Sequence, residues 1–263
     1  VWHTLAFFKA DTAGAVNEQI PAVIDQIVTQ SPNGNYILQQ DMIIRAAYFR
    51  DAGGVGARIN TPDFRRVSIP NVHPVQRQAG VTNLPALQWY NPGTIRIPSI
   101  DEVIFQGSNN GAGGIAAVGG LWISPPGGNV NIPSGDCYKL HATATSLGVT
   151  AGWELVGQVF DEILPAGTYT IVGFDAIQNG AANRVEFVRI AWTGGLVAGG
   201  GAMWRPGVLC QFSQANQNWP NWQNGRWGAL GSFVSTAPPK IEVFSVTGVA
   251  ATFDLYYDVI KTG

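Results

Sequence analysis

The stretch Ala251-Thr-Phe-Asp-Leu-Tyr-Tyr-Asp-Val-Ile-Lys-Thr262 decides the fold class. Phe253, Leu255, Tyr257 and Val259 recur at every second position, with Asp254, Tyr256 and Asp258 between them. Successive side chains of a strand point to opposite faces, so this is a strand with one face in a core and the other toward water. It reads as a core strand that finishes the fold. The same texture extends upstream, where short apolar runs from residue 36 onward are broken by Gly, Pro and Asn. Asn33-Gly34, Asn110-Gly111, Asn179-Gly180 and Asn224-Gly225 supply the positive-φ residues that tight turns demand. Many short strands with such punctuation indicate an all-β sandwich, barrel or jelly roll.

Two segments carry a helical period instead. Ile20, Val23, Ile24, Ile27 and Val28 fall at helical spacing, with Pro21 suited to a first turn and Ser31-Pro32-Asn33-Gly34 to end it. Such a helix docks on a neighbouring subunit, lies on a membrane, or covers one end of its own β core. The acidic Glu18 and Asp25, with no basic residue beside them, favour the last of these. In residues 153–164, Leu155, Val156, Val159, Phe160 and Ile163 fit a helical stripe as well as strands, so this segment is left open between a linking helix and β structure.

The two halves of the chain resemble each other. Pro98-Ser-Ile-Asp-Glu-Val-Ile-Phe-Gln-Gly107 lines up without a gap against Pro239-Lys-Ile-Glu-Val-Phe-Ser-Val-Thr-Gly248. Upstream, Pro32-Asn-Gly-Asn-Tyr-Ile-Leu38 lines up against Pro165-Ala-Gly-Thr-Tyr-Thr-Ile171. The second copy is the longer between these matches, and the insert Asn218-Trp-Pro-Asn-Trp-Gln-Asn-Gly-Arg-Trp227 is a natural place for the excess. A duplication makes the chain two similar β sandwiches in tandem, joined within residues 125–152.

Composition bounds the partners. Of 263 residues, 46% are hydrophobic and only 12% charged, about half the usual charged share of roughly 25%. The surface is therefore covered largely by Asn, Gln, Ser, Thr and Gly, and a net charge of −2 opposes contact between copies only weakly, so an oligomer is expected. Arg65-Arg66 is the one close basic pair, too little for the clustered phosphate contacts of a nucleic-acid binder. No apolar run reaches eighteen residues, and residues 1–10 show no leader-cleavage pattern. Cys137 and Cys210 are expected as two buried, reduced thiols, with a single bridge between them as the alternative.

No catalytic, metal or cofactor site is expected. His3, His73 and His141 are isolated, without the spacing that gathers ligands round one ion. Asp101-Glu102 are neighbours on a strand and point apart, which spoils them as an acid/base pair; Asp161-Glu162 are the other adjacent acids. Asp254 and Asp258 share a face, as solvent-side charges of an amphipathic strand do. The glycine-rich residues 107–120 lack the Lys of a phosphate loop and read as a loop and hairpin. Trp219, Trp222 and Trp227, with Arg226 beside them, form a candidate interface or ligand platform; the alternatives are a subunit contact, the filling under a long loop, or stacking on sugars.

With tandem β sandwiches, a low-charge Asn/Gln/Gly surface, no catalytic set and a Trp-bearing loop, the chain resembles the small double jelly-roll major capsid proteins of icosahedral viruses and phages. The resemblance spans residues 30–262 and is one of architecture. It implies a non-enzymatic structural protein with an N-terminal arm and helix over 1–31, jelly rolls over 32–124 and 153–263, and a linker over 125–152. It also implies a homotrimer that tiles a shell around the genome, contacts other capsid proteins such as a vertex protein, needs no cofactor, makes no specific nucleic-acid contact, and is assembled in the host cytoplasm into the virion. The competing class is a carbohydrate-binding β module or phage receptor-binding protein that uses the Trp loop.

Overall fold

The computed structural model describes residues 2–10, 18–50, 54–60, 73–75, 77–78, 88–90, 95–109, 116–127, 131–149, 151–178, 185–192, 204–212, 228–246, 248 and 250–263. All elements among the described residues are β-strands. The chain divides into two units, Thr4–Pro126, and Gly127–Gly263 together with Val1–His3.

The strands of the first half are β1 (His3–Lys9), β2 (Glu18–Gln19), β3 (Thr29–Gln30), β4 (Tyr36–Ile37), β5 (Met42–Arg50) and β6 (Gly54–Asn60). They continue with β7 (His73–Val75), β8 (Arg77–Gln78), β9 (Gln88–Trp89), β10 (Arg96–Ile97), β11 (Glu102–Asn109) and β12 (Ala117–Ser124). One sheet runs β1-β12-β5-β10 and the other β3-β4-β11-β6-β7. Their inner faces meet through aromatic rings: Phe105 of β11 stacks on Phe7 of β1 at 4.9 Å and lies 6.0 Å from Phe49 of β5. Gly119 of β12 leaves room for this, since a Cβ there would stand 2.8 Å from the Phe105 ring.

The second half holds β13 (Asp136–Ser146), β14 (Trp153–Val156), β15 (Gln158–Phe160), β16 (Thr168–Gln178) and β17 (Val185–Ala191). It ends with β18 (Gly207–Leu209), β19 (Gln211–Phe212), β20 (Gly231–Val234), β21 (Lys240–Ser245) and β22 (Ala251–Lys261). Its sheets run β15-β13-β22-β16-β19 and β14-β21-β17-β18, with β20 also on β16. The alternating stretch that opened the sequence reading is β22, held between β13 and β16. Phe253, Leu255, Tyr257 and Val259 are buried, and Tyr257 meets Phe174 at 4.9 Å and Phe160 at 5.7 Å. β13 falls inside the stretch expected to link the halves and pairs with β22 along its whole length.

The two halves repeat one strand plan. Taking β1, β4, β5, β6, β7, β10, β11 and β12 in chain order, the sheets follow 1-8-3-6 and 2-7-4-5. The same orders hold for β13, β14, β16, β17, β18, β20, β21 and β22. A short strand also runs parallel to the third in each half, β8 beside Phe49–Arg50 and β19 beside Ile177–Gln178. Irregularities recur as well. Arg45 is the extra residue of β5 against β12, and Val172 that of β16 against β22. Val55 is the extra residue of β6 against β11, and Glu186 that of β17 against β21. A bulge marks a fixed place in a sheet, so four coincident bulges align the halves independently of side-chain identity.

This alignment corrects the sequence repeat. β11 and β21 do occupy the same place in the two plans, but the bulges set Asn109 against Ser245, whereas the gapless match sets Ile104 there. Ile100, matched to the fully buried Ile241, lies outside β11, exposed and at φ 61°. The upstream match joins strands that are not equivalent, since residues 32–38 lead into β4 and residues 165–171 into β16. Turn residues before a strand are alike whichever strand follows, which is why the two stretches resemble each other.

The N-terminal helix is not formed. The backbone N–H groups of Ile20, Ala22 and Val23 donate to the carbonyls of Phe105, Gly34 and Ala6, partners distant in sequence, so none can close a helical turn. Ile20, Val23 and Val28 are buried from an extended path, Ile27 is half-buried, and Ile24 is exposed. Asp25 turns the chain by accepting the N–H of Ile27 at 2.8 Å. Residues 153–164 form β14 and β15, whose edges complete the two sheets, in place of a linking helix. Both cysteines are free, but Cys137, near the start of β13, is exposed, and only Cys210 is buried.

Candidate functional site

β13, β22 and β16 direct Leu140, Ala142, Leu255, Tyr257, Phe174 and Ala176 into the core, and the pleat therefore puts Lys139, His141, Asp254, Tyr256, Asp258 and Asp175 on the opposite face. Register makes them neighbours, with Lys139 opposite Asp258, and His141 and Asp175 flanking Tyr256.

His141 is the centre of this row. Its Nδ1 lies 2.6 Å from Asp161 Oδ2 and its Nε2 3.1 Å from Asp254 Oδ1. An ionised carboxylate only accepts, so the ring donates from both nitrogens and is an imidazolium. The bond to Asp161 is the main cause that raises the His141 pKa; desolvation opposes it, and Asp254 adds to it. The Tyr256 ring stands 4.9 Å away, and the His141 backbone N–H donates to Glu162 Oε2 at 3.2 Å. With both nitrogens engaged, the imidazole is committed to holding residues 161–162 against the sheet and is not offered to a substrate as a base.

Asp175 sits deeper in the row. Burial, and then the charge of Asp258, push its pKa up to about 7, with Lys139 opposing. Lys139 Nζ is 3.3 Å from Asp258 Oδ1, so Asp258 has a counter-ion on the neighbouring strand.

A second polar cluster is fully inside. Glu242 of β21 accepts from Arg189 Nε of β17 at 2.6 Å and from Arg205 Nη1. The Arg189 guanidinium lies 3.8 Å from the centroid of the Trp153 ring, a cation–π contact. His3 Nδ1 accepts the Arg205 N–H at 3.1 Å and so fastens the first residues of the chain to the unit they belong to. Buried charge paired in this way reads as architecture.

The sequence singled out Asp161, Asp254 and His141 separately; β-sheet register and the turn after β15 bring them together. The parity of β13 and β22 was the available signal, since His141 and Asp254 both fall on the side opposite the apolar positions. Trp219, Trp222, Arg226 and Trp227 lie outside the described residues. Ile20, Val23 and Val28 belong to the core and not to a docking helix.

The chain matches no known family model and no curated protein. Among solved structures, it is similar to the major capsid protein P2 of bacteriophage PM2 at 11% identity, with 100% of this chain and 98% of that chain covered, at a TM-score of 0.25.

Proposed function

We propose that the chain is a viral capsid protein, two jelly rolls in tandem, which trimerises and assembles with further copies into an icosahedral shell around the genome. The observation that carries this reading is the strand plan, repeated within one chain together with its bulges. The orders 1-8-3-6 and 2-7-4-5 are those of the jelly roll, an architecture used by capsid subunits as well as by lectins and cupins. Duplication favours the capsid among these. Three chains of two similar units each give a trimer with six similar lobes, a near-hexagonal tile that packs edge to edge without gaps. The low charge supports close packing of such tiles. In this reading the protein is non-enzymatic, works in the virion, contacts a separate vertex protein, and encloses nucleic acid without reading it.

Native mass by light scattering, with negative-stain images of the same fractions, tests it. A mass near three times 28.0 kDa, or closed shells, is the expected result. A strict monomer at high concentration overturns it in favour of a carbohydrate-binding or receptor-binding module, for which Trp222→Ala should abolish glycan binding.

A further inference from the structure

Arg45 of β5 is a buried cation without a counter-ion among the described residues. It is the extra residue at the β5 bulge, and a bulge re-aims the side chain that it inserts. The residue is 6% exposed, and its Nε donates at 2.7 Å to Oγ of Ser124 on β12, itself 3% exposed. Among the described residues this is the one hydrogen bond of the guanidinium. Burial lowers its pKa, and no carboxylate acts against that shift. Asp41, which precedes β5, is taken by the Arg96 guanidinium and the Ser99 N–H.

The other half of the chain is an internal control. The coincident bulges set Arg45 against Val172 and Ser124 against Ile260, which are 7% and 8% exposed. The same two places of the strand plan are therefore filled by apolar side chains in one unit and by a cation and a hydroxyl in the other. An uncompensated buried charge is costly, and Val172 shows that the plan does not need one there. The charge at Arg45 therefore serves something other than the fold.

The donors of the pair suit one kind of ligand. With Nε bound to Ser124, both Nη atoms keep N–H donors in a planar fork that matches two oxygens of a single anion. Ser124 Oγ accepts from Nε, and among the described residues its own O–H has no acceptor, so the hydroxyl can turn toward the same anion. Neither Nη is sealed from solvent. Because so little of Arg45 and Ser124 is exposed, the opening suits a small free ion better than a lipid headgroup or a nucleic-acid phosphate, which arrive with bulky neighbours.

We propose that Arg45 and Ser124 form a binding site for one small oxyanion, a phosphate or a carboxylate, in the unit Thr4–Pro126. The inference does not rest on the shell reading.

The test measures inorganic phosphate binding to the full chain by equilibrium dialysis at constant ionic strength, and follows the melting temperature over the same phosphate series. The expected result is saturable binding of one phosphate per chain, displaced by acetate and not by chloride. Arg45→Val/Ser124→Ile gives this half the residues of the other; it should fold and bind phosphate at least about tenfold more weakly. It should also lose the part of the thermal shift that comes from binding, while the general salting effect of phosphate stays common to both proteins. Arg45→Lys keeps the charge without the fork and should likewise bind at least about tenfold more weakly, which decides the matter if the double variant does not fold. Wild type without saturable phosphate binding, chloride competing as well as acetate, or folded variants that bind like wild type overturn the site. Phosphate affinity should not depend on protein concentration; an affinity that falls as the chain self-associates overturns the free ion in favour of a carboxylate from a second copy.

Discussion

His141 Nδ1 lies 2.6 Å from Asp161 Oδ2, and this contact between the end of β15 and β13 is strongest while the ring is charged. The folded-state pKa is raised above the ordinary value, chiefly by that bond. Stability from the pair is therefore fully present below the unfolded pKa of about 6.5 and is lost as pH rises through the raised folded value. His141→Gln should lose under about 1 kcal/mol at pH 5.5, because Asp161 is more than half exposed and solvent screens it. Urea midpoints at pH 5.5 and pH 9 check this; a difference between the two proteins that does not change with pH refutes it.

Asp175 has the opposite character, an acid made uncomfortable by folding. Burial and the nearby Asp258 hold its pKa up at about 7, so the folded state prefers it protonated and stability declines as pH rises from about 4 toward that value. Asp175→Asn should match wild type at pH 4 and be the more stable protein at pH 8. Thermal melts at the two pH values decide it, and a variant less stable at pH 8 sinks the account.

Glu242 compensates two guanidinium groups in the interior. Glu242→Leu leaves Arg189 and Arg205 with their shared carboxylate removed, which should cost about 3–5 kcal/mol. Guanidinium denaturation followed by Trp fluorescence measures the loss. A cost within experimental error would mean the cluster is solvated.

Gly119 and Gly157 make a matched pair. An added Cβ at Gly119 meets the Phe105 ring at 2.8 Å, whereas one at Gly157 meets nothing within 4 Å. Gly119→Ala should destabilise by about 1–3 kcal/mol, and Gly157→Ala should be neutral or stabilise by up to about 1 kcal/mol. Equal melting temperatures for the two variants contradict the inferred closeness of the sheets at Phe105.

Phe253→Asp should abolish folding, because the side chain lies fully buried on the inner face of β22 and its replacement is an unpaired charge. A soluble variant with native near-UV dichroism would falsify the assignment of that strand's faces.

The sequence by itself determined the strands whose two faces differ. β22 was legible because alternation of Phe253, Leu255, Tyr257 and Val259 with polar residues is a local consequence of the pleat and needs no partner. Where burial comes from distant chain, local period misleads: Ile20, Val23 and Val28 are spaced as on a helix, yet they are covered by an extended path whose N–H groups go to Phe105, Gly34 and Ala6. Leu155 and Val159 are four residues apart on either structure, so only pairing with β21 and β13 chose the strand. The repeated strand plan was not legible in the side chains, since one sequence match between the halves is out of register and the other joins unlike strands; the bulges at Arg45, Val55, Val172 and Glu186 are what align the halves. Tertiary structure alone decided that His141 meets Asp161 and Asp254, because hydrogen-bond register between strands far apart in the chain is a property of the assembled sheet and is written in no single segment.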